Sequence, residues 1–280
     1  MMAFFKEESF KNGQSNLYFL KNDWSSKRET VVFLHGFPDG PEVWCELALE
    51  IGQYFNIIIP YLPGVHPKFK MSSEIGRSFQ LSVLLLIRSR KEMCRGVHLV
   101  GHDVGGVLVD QLSYMLGDHC KSLSFISTMG LNLYSKNLKI DQIVKSWYIP
   151  LFSTSVGQKL MLKNLNIGKK FLKKMDESVV ESKIPDRLGS IKLYREFVNL
   201  LVAPTRWDRI NNHRSLFVFS TKDPFVKIPE QKNVRQYYNN STVRVIDGGH
   251  WEFIHQKEKY AEILKNHLLN EGGEYEYLEI

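Results

Sequence analysis

The chain has 280 residues, of which 43% are hydrophobic and 24% charged, and this composition is typical of one large globular domain or one domain with an insertion. The formal net charge of +7, from 37 basic and 30 acidic residues, is too small an excess for this length to require a nucleic-acid partner. The 3 cysteines show no Cys-x-x-Cys spacing, so they indicate neither a disulfide framework nor a zinc site and favour a reducing compartment.

The first half of the chain alternates strand patterns with helix patterns. Residues 1–14 carry acids and amides where a secretory signal needs a long apolar core, so we expect a cytoplasmic protein. The most apolar run, 81–87, is far shorter than the ~20 residues that span a bilayer, so no membrane span is expected. An early strand is predicted near residue 17, and the buried strands that follow are "TVVFLHGF" (30–37), "NIIIPYLPG" (56–64), "GVHLVGH" (96–102) and "KSLSFISTMG" (121–130). Helical spacing between them predicts a mostly parallel sheet flanked by helices.

Helical segments without a convincing strand occupy residues 132 to 203. Strand patterns resume at 215–223 and 241–250, and a helix over 259–269 closes the core. We therefore expect an α/β fold with an inserted helical cap. The predicted division is a core over 1–131, a cap over 132–204 and the second part of the core over 205–280. The tail after residue 269 has no core pattern, and its role stays open.

The densest run of positive charge lies inside the predicted cap. It spans residues 162–177 and contains Lys163, Lys169, Lys170, Lys173 and Lys174. A solvated helix face is the first interpretation, and a docking surface for an anionic partner or a membrane is the alternative. No aromatic stacking pattern accompanies these lysines, so they do not favour nucleic acid.

The motif "VGHDVGG" places Gly101, Asp103 and Gly105 at the end of a predicted strand. A strand-to-helix turn of the form Gly-x-Ser-x-Gly is the nucleophile elbow of α/β-hydrolases, and here an aspartate stands at the serine position. An aspartate side chain has an ordinary pKa of ~3.9, so it is ionised at neutral pH and needs no base to attack. The dipole of the following helix favours this negative charge. Such a nucleophile is suited to displacement at saturated carbon, which leaves an alkyl ester on the enzyme.

Hydrolysis of that ester requires a base that activates water. His250 follows a predicted strand near the end of the chain, where the hydrolase order places the histidine last. Asp223 ends the preceding strand and is expected to orient the imidazole and stabilise its protonated form. Asp247 is a rival for this role, but it is too close to His250 in sequence for the usual long-loop approach. The position after the 121–130 strand offers Asn132 rather than an acid.

The oxyanion formed during ester hydrolysis needs backbone N–H donors. One is the amide of Val104, directly after the nucleophile. The second is expected from the loop "HGFPDG", where Phe37 is the candidate donor and Pro38 sets the direction of the loop. These pieces occur in the order oxyanion loop, nucleophile, acid and histidine, and each follows a predicted strand.

With these motifs in place, the chain resembles the α/β-hydrolase-fold epoxide hydrolases. The resemblance rests on "HGFPDG", "VGHDVGG", "STKDPFV" and "GGHWEF", and it extends from residue 31 to the final helix. It implies two cap tyrosines that hydrogen-bond the epoxide oxygen, and Tyr148 in "SWYIPLFS" and Tyr194 in "SIKLYREF" stand at the matching positions. A phenol has an ordinary pKa of ~10, so it can donate to the alkoxide as the ring opens. The expected substrate-binding residues are His35, Pro38, Trp147, Phe152 and Trp251.

The partners that this resemblance implies are a small epoxide and water, with no cofactor and no metal. Two departures affect the shape of the pocket. The segment "PYLPGVHPKF" replaces an Asp-x-Arg-Gly-type loop, and Val104 stands where a tryptophan is frequent. A haloalkane dehalogenase with the same Asp–His–Asp set is the nearest alternative, although Val104 and Phe37 offer no side-chain N–H for a halide. A hydrolase fold used only to bind a small molecule is the alternative from another class.

Overall fold

In a computed structural model, the chain is described over residues 4–13, 15–68, 75–163, 170, 173–174, 191–202, 209–270 and 278–279. Nine strands in these residues form one sheet in the order β1-β2-β4-β3-β5-β6-β7-β8-β9. The strands β3 to β9 run parallel to their neighbours, and β1 and β2 add an antiparallel edge. The strands are β1 (Lys6–Asn12), β2 (Ser15–Lys21), β3 (Thr30–Leu34), β4 (Asn56–Pro60), β5 (Val97–His102), β6 (Cys120–Ile126), β7 (Arg214–Ser220), β8 (Ser241–Ile246) and β9 (Leu278–Glu279).

Helices connect these strands and flank the sheet, which confirms the predicted fold class. The helices in the described part of the chain are α1 (Cys45–Ile51), α2 (Ile75–Ser89), α3 (Val104–Leu116), α4 (Leu131–Lys136), α5 (Ile140–Lys145), α6 (Tyr148–Ser153), α7 (Ser155–Lys163), α8 (Leu193–Val202), α9 (Gln231–Tyr237), α10 (Glu252–His255) and α11 (Lys257–Leu269). Every residue of β3, β4 and β5 is buried, because a parallel sheet covered on both faces leaves its central strands no solvent side. None of the helices described is both long enough and apolar enough to cross a bilayer.

In the described residues between β6 and β7, the main regular elements are the helices α4 to α8, which are joined by short turns. We call α4–α8 the inserted helices. The predicted domain limits at 132 and 204 stay predictions, and most of the predicted helix over 167–178 lies outside the described residues. The predicted helix over 142–149 divides into α5 and α6, and the buried Ser146 between them hydrogen-bonds Tyr134 and Gln142 through its side chain.

Several elements were not predicted, among them β1, α9 and β9. Strand β1 is rich in charge, and its charged side chains are exposed or half-buried at the edge of the sheet, where charge discourages pairing with another chain. Helix α9 lies in a polar segment without clear apolar spacing. Residues Leu278 and Glu279 of the tail pair with β8 as the short strand β9.

The sheet places a crevice between β3 and β5. The chain leaves β3 toward β4 on one side, and from β5 it continues through β6, β7 and β8 on the other side. In open parallel sheets, ligands bind outside the carboxyl ends of the strands at such a reversal of direction. Phe37 follows β3, Asp103 follows β5 and Asp223 follows β7, so the topology brings the predicted site residues to one edge.

A buried carboxyl group lies behind this edge in α3. Asp110 accepts a hydrogen bond from the Tyr238 hydroxyl at 2.7 Å, and Asn211 and the Leu131 backbone are further partners. Burial raises the pKa of Asp110 from 3.8 to about 6, in spite of these hydrogen bonds. The folded state therefore binds the proton more tightly than the unfolded chain, and the contribution of Asp110 to stability is greatest below pH 4 and is lost as the pH rises through 6.

We expect the Asp110→Asn variant to lose this part of the pH dependence. Between pH 4 and pH 7 the free energy of unfolding of the unchanged protein should fall, relative to the variant, by roughly 3 kcal/mol. Urea unfolding of both proteins across this range measures the difference. The matched control is Asp118→Asn, at an exposed position just beyond the same helix. A difference between the unchanged protein and Asp110→Asn that is constant with pH would contradict the assignment.

Candidate active site

Asp103 occupies a sharp turn between β5 and α3. Its backbone has φ 50° and ψ −126°, a conformation that residues with a Cβ rarely adopt. The turn is possible because its flanks are glycine: a Cβ on Gly105 would lie 2.2 Å from the Leu34 carbonyl oxygen, and a Cβ on Gly101 would lie 2.7 Å from the backbone of Gly105. The Gly-x-Asp-x-Gly motif therefore reflects the space available at this turn.

The backbone strain at Asp103 predicts an inversion of the usual ranking of glycine and alanine. We expect Asp103→Gly to be more stable than Asp103→Ala by about 1 kcal/mol or more, because only the alanine keeps a Cβ at positive φ. Both variants lack the carboxylate, so thermal unfolding of the pair isolates the backbone term. A control pair at Lys159, exposed in α7, should favour alanine by about 1 kcal/mol. Equal stability of the two Asp103 variants would contradict a strained turn.

Hydrogen bonds hold the Asp103 carboxylate and backbone. The Phe37 N–H donates to Oδ2 of Asp103 at 2.9 Å. The Asp103 carbonyl accepts from the Thr128 hydroxyl at 2.7 Å and from the Gly106 N–H at 3.0 Å. The loop after β3 is thus aimed at the carboxylate, as the oxyanion-hole prediction requires of Phe37. Val104, the other predicted donor, is the first residue of α3.

His250 and Asp223 form a second, buried part of the site. Nδ1 of His250 lies 2.8 Å from Oδ2 of Asp223, and each side chain is only 2% exposed. The other carboxylate oxygen, Oδ1, accepts from the N–H groups of Phe225 and Val226 at 2.7 and 2.9 Å. Because a carboxylate only accepts, Nδ1 of His250 carries the proton, and Nε2 is left as the basic nitrogen. The rival Asp247 instead lies at the surface, where it contacts Thr221 and Lys222.

Two adjoining cavities lie above Asp103, and they share Asp103, Tyr148, Tyr194 and Phe225. The larger spans about 440 Å³, and the smaller, of about 260 Å³, is also lined by His250; both volumes include space that is open to solvent. The Tyr148 and Tyr194 rings lie side by side, with their centroids 5.9 Å apart, and each hydroxyl influences the pKa of the other. Burial, and then the charge of Asp103, raises the pKa of both phenols well above 10, so both remain proton donors.

A second buried network supports His250 from behind. His102 donates through Nε2 to the His250 carbonyl oxygen at 3.0 Å, and its Nδ1 lies 3.6 Å from the Asp39 carboxylate. That distance is longer than a hydrogen bond, whereas the Asp39 carboxylate does accept a hydrogen bond from Nε1–H of Trp251 at 3.0 Å. Since His102 and Trp251 lie next to Asp103 and His250 in the chain, these contacts join the loops that carry Asp103 and His250 to the loop after β3.

The predicted substrate-binding residues are divided by the structure. Phe152 and Trp251 line the smaller cavity, and Pro38 is buried directly after Phe37. His35 is fully buried: it accepts from the Leu62 N–H at 3.1 Å and lies 2.9 Å from the Gly36 carbonyl, so it joins two loops and is not among the described residues that line either cavity. Trp147 is 51% exposed and is likewise not among them.

Several cavity-lining residues were not singled out from the sequence. Phe225 contacts the His250 ring at a centroid distance of 5.0 Å, and its position within "STKDPFV" was the available signal. Thr128, Met129, Tyr134 and Phe197 also line the larger cavity, and nothing in the sequence distinguishes them from core residues. In the described part of the chain, no group of His, Cys, Asp or Glu side chains forms a metal site.

Known proteins share this architecture. A Vigna radiata epoxide hydrolase mutant superposes with a TM-score of 0.79 and 14% sequence identity, and the superposition covers 96% of this chain and 100% of the mutant. Cfl2 from Burkholderia cenocepacia superposes with a TM-score of 0.78 and 16% identity, over 94% of this chain and 95% of Cfl2. The Cif epoxide hydrolase from Acinetobacter nosocomialis superposes with a TM-score of 0.77 and 15% identity, over 95% of this chain and 89% of that protein. At these identities the likeness shows the fold.

No curated protein matches the chain significantly in sequence. A family match does exist, and it covers residues 31–263, which include the oxyanion loop, Asp103, Asp223 and His250. The match extends over well more than half of the chain, from β3 to the last long helix. The chain belongs to the alpha/beta hydrolase family.

Proposed function

We propose that the protein is an epoxide hydrolase that converts epoxides to vicinal diols through an alkyl ester on Asp103. The observation that carries the proposal is a carboxylate at the nucleophile position facing two tyrosine hydroxyls in one cavity. A carboxylate suits attack on saturated carbon, and paired phenols suit an oxygen that becomes an alkoxide as its ring opens. Fold neighbours that are named epoxide hydrolases support the same assignment.

In the first step, an oxygen of Asp103 attacks one epoxide carbon. Oδ2 is engaged by the Phe37 N–H, so Oδ1 is the attacking atom. The C–O bond of the ring breaks, and the electron pair stays on the epoxide oxygen. Tyr148 or Tyr194 donates its proton to that oxygen, and the paired hydroxyl shares the resulting charge.

In the second step, water hydrolyses the ester. Nε2 of His250 takes a proton from water, and the hydroxide attacks the ester carbonyl carbon of Asp103. The Asp223 carboxylate stabilises the imidazolium, and the N–H groups of Phe37 and Val104 stabilise the oxyanion. Collapse of this intermediate releases the diol as an alkoxide, which takes the proton of the His250 imidazolium. Asp103 is left as a carboxylic acid, and its proton returns to the tyrosinate, which restores the carboxylate and the tyrosine hydroxyl.

The haloalkane dehalogenase alternative requires N–H donors that face a departing halide. Trp251 lines the smaller cavity, but its Nε1–H donates to Asp39. Styrene-type, aliphatic and fatty-acid epoxides, compared with brominated alkanes, distinguish the two reactions. We expect diol from an epoxide and no bromide. Bromide release without diol would assign the site to dehalogenation, and tight binding without turnover would assign it to ligand binding.

Oxygen labelling tests the ester directly. With enzyme in excess over epoxide in water labelled with heavy oxygen, the first turnover should give almost unlabelled diol, because the added oxygen comes from Asp103. The label should appear in the peptide that contains Asp103. Label in the diol from the first turnover would show direct attack by water and would remove the nucleophile role from Asp103.

A further inference from the structure

The outer surface of the inserted helices carries an apolar stripe. On α5, the residues Ile140, Ile143 and Val144 follow the spacing i, i+3 and i+4, which places them on one side of the helix, and Trp147 follows in the turn before α6. Their exposed fractions are 78%, 57%, 64% and 51%. Leu151, four residues after Trp147, is also exposed.

Helix α5 exposes apolar side chains and buries a polar one, which is the reverse of an ordinary surface helix. Its buried side carries Gln142, which is fully enclosed and donates to the Ser146 hydroxyl and to the Phe225 carbonyl. Gln142 also accepts from the Lys227 N–H at 2.8 Å. A surface helix normally buries its apolar side, so packing against the described residues does not explain the apolar residues on the solvent side of α5.

Helix α7 also carries exposed apolar side chains. Val156 and Leu160 lie one turn apart and are 77% and 55% exposed. α6 and α7 pack against each other. We call this set the outer apolar face, and its members are Ile140, Ile143, Val144, Trp147, Leu151, Val156 and Leu160.

Lysines accompany the outer apolar face. Residues 131–163 contain five lysines and one acid, Asp141, for a formal charge of +4. Of these lysines, Lys136, Lys139 and Lys159 are exposed, and Lys139 forms an ion pair with Glu230 at 2.6 Å. Apolar side chains and cations on one surface are the combination that binds the boundary of an anionic bilayer, where apolar groups enter the acyl region and cations contact head groups.

We propose that the outer apolar face docks the protein on an anionic lipid surface. A second copy of the chain is the rival occupant, but a twofold dimer through this face would bring the lysines of both copies together, and like charges oppose that contact. An anionic bilayer complements both the apolar and the basic features. Trp147 at the centre of the stripe is the residue type that concentrates at membrane interfaces. The inference does not depend on the reaction proposed above.

Vesicle cosedimentation of the full chain tests the docking. Vesicles of phosphatidylcholine and phosphatidylserine in equal parts should bind the protein, and vesicles of phosphatidylcholine alone should bind it less. Val144→Asp should lower the partition coefficient roughly tenfold, because it places a charge among the inserted groups. Lys159→Gln should lower it about fivefold, and added salt should weaken binding to the anionic vesicles.

Matched controls change exposed residues away from this face. Leu49→Asp in α1 and Lys91→Gln after α2 should leave the partition coefficient unchanged, and thermal unfolding confirms that each variant is folded. Absence of binding to anionic vesicles would overturn the proposal, as would binding that Val144→Asp and Lys159→Gln leave intact. A dimer in light scattering that Val144→Asp converts to a monomer would assign the face to a second copy instead.

Discussion

A His250→Gln variant should react once with an epoxide and then stop. Asp103 attacks as a carboxylate, so ester formation does not require the histidine, whereas hydrolysis does. Asp223 holds the proton on Nδ1 of His250, and this leaves Nε2 as the base that glutamine cannot replace. Turnover should fall on the order of 10⁴-fold or more. Intact-mass measurement should show an adduct of one substrate mass, which maps to the peptide that contains Asp103.

Two controls accompany this variant. The double variant with Asp103→Ala should form no adduct, because the nucleophile is gone. His119→Gln, just beyond the end of α3, should turn over normally, because the His119 imidazole hydrogen-bonds the backbone carbonyl of Met93, far from the site. An unmodified His250→Gln protein that still binds substrate would refute the division of labour between Asp103 and His250.

The central part of the site could be predicted because it depends on local sequence. The elbow at Asp103 needs small residues on both sides, so its backbone geometry appears in the sequence as a glycine pattern. His250 and Asp223 each follow a buried strand, and parallel strands bring their carboxyl ends to one edge of the sheet. The order of the motifs therefore predicted which side chains meet, including the choice of Asp223 over Asp247 as the partner of His250.

The parts that could not be predicted depend on contacts distant in sequence. The network of His102, Asp39 and Trp251 joins three loops, and no local pattern records it. His35 lies in the oxyanion-loop motif, and only the structure shows that its Nε2 accepts from the Leu62 N–H far along the chain. Thr128 resembles an ordinary strand-end residue until the elbow is placed beside it. For the same reason, the outward direction of the apolar stripe on α5 could not be predicted, since an apolar helical spacing normally marks the buried side.

Replacement of both Tyr148 and Tyr194 by phenylalanine should nearly abolish formation of the ester. Each hydroxyl can donate to the departing epoxide oxygen, and loss of one general acid typically costs on the order of 10²–10⁴-fold, so single variants should be slowed and the double variant should be slower still. Single-turnover alkylation of Asp103 is the measurement, because it isolates this step from ester hydrolysis.

Tyr134→Phe is the matched control for these variants. Tyr134 lines the same cavity, but its hydroxyl contacts the Ser146 hydroxyl at 2.7 Å, so its loss should change the rate of alkylation far less. Burial holds the pKa of Tyr148 and Tyr194 well above 10, so the donors stay protonated as the pH rises, and the rate of alkylation should not decline up to pH ~9. A double variant that alkylates Asp103 at the unchanged rate would show that the epoxide oxygen is protonated from elsewhere, and the two phenols would then act only as walls of the cavity.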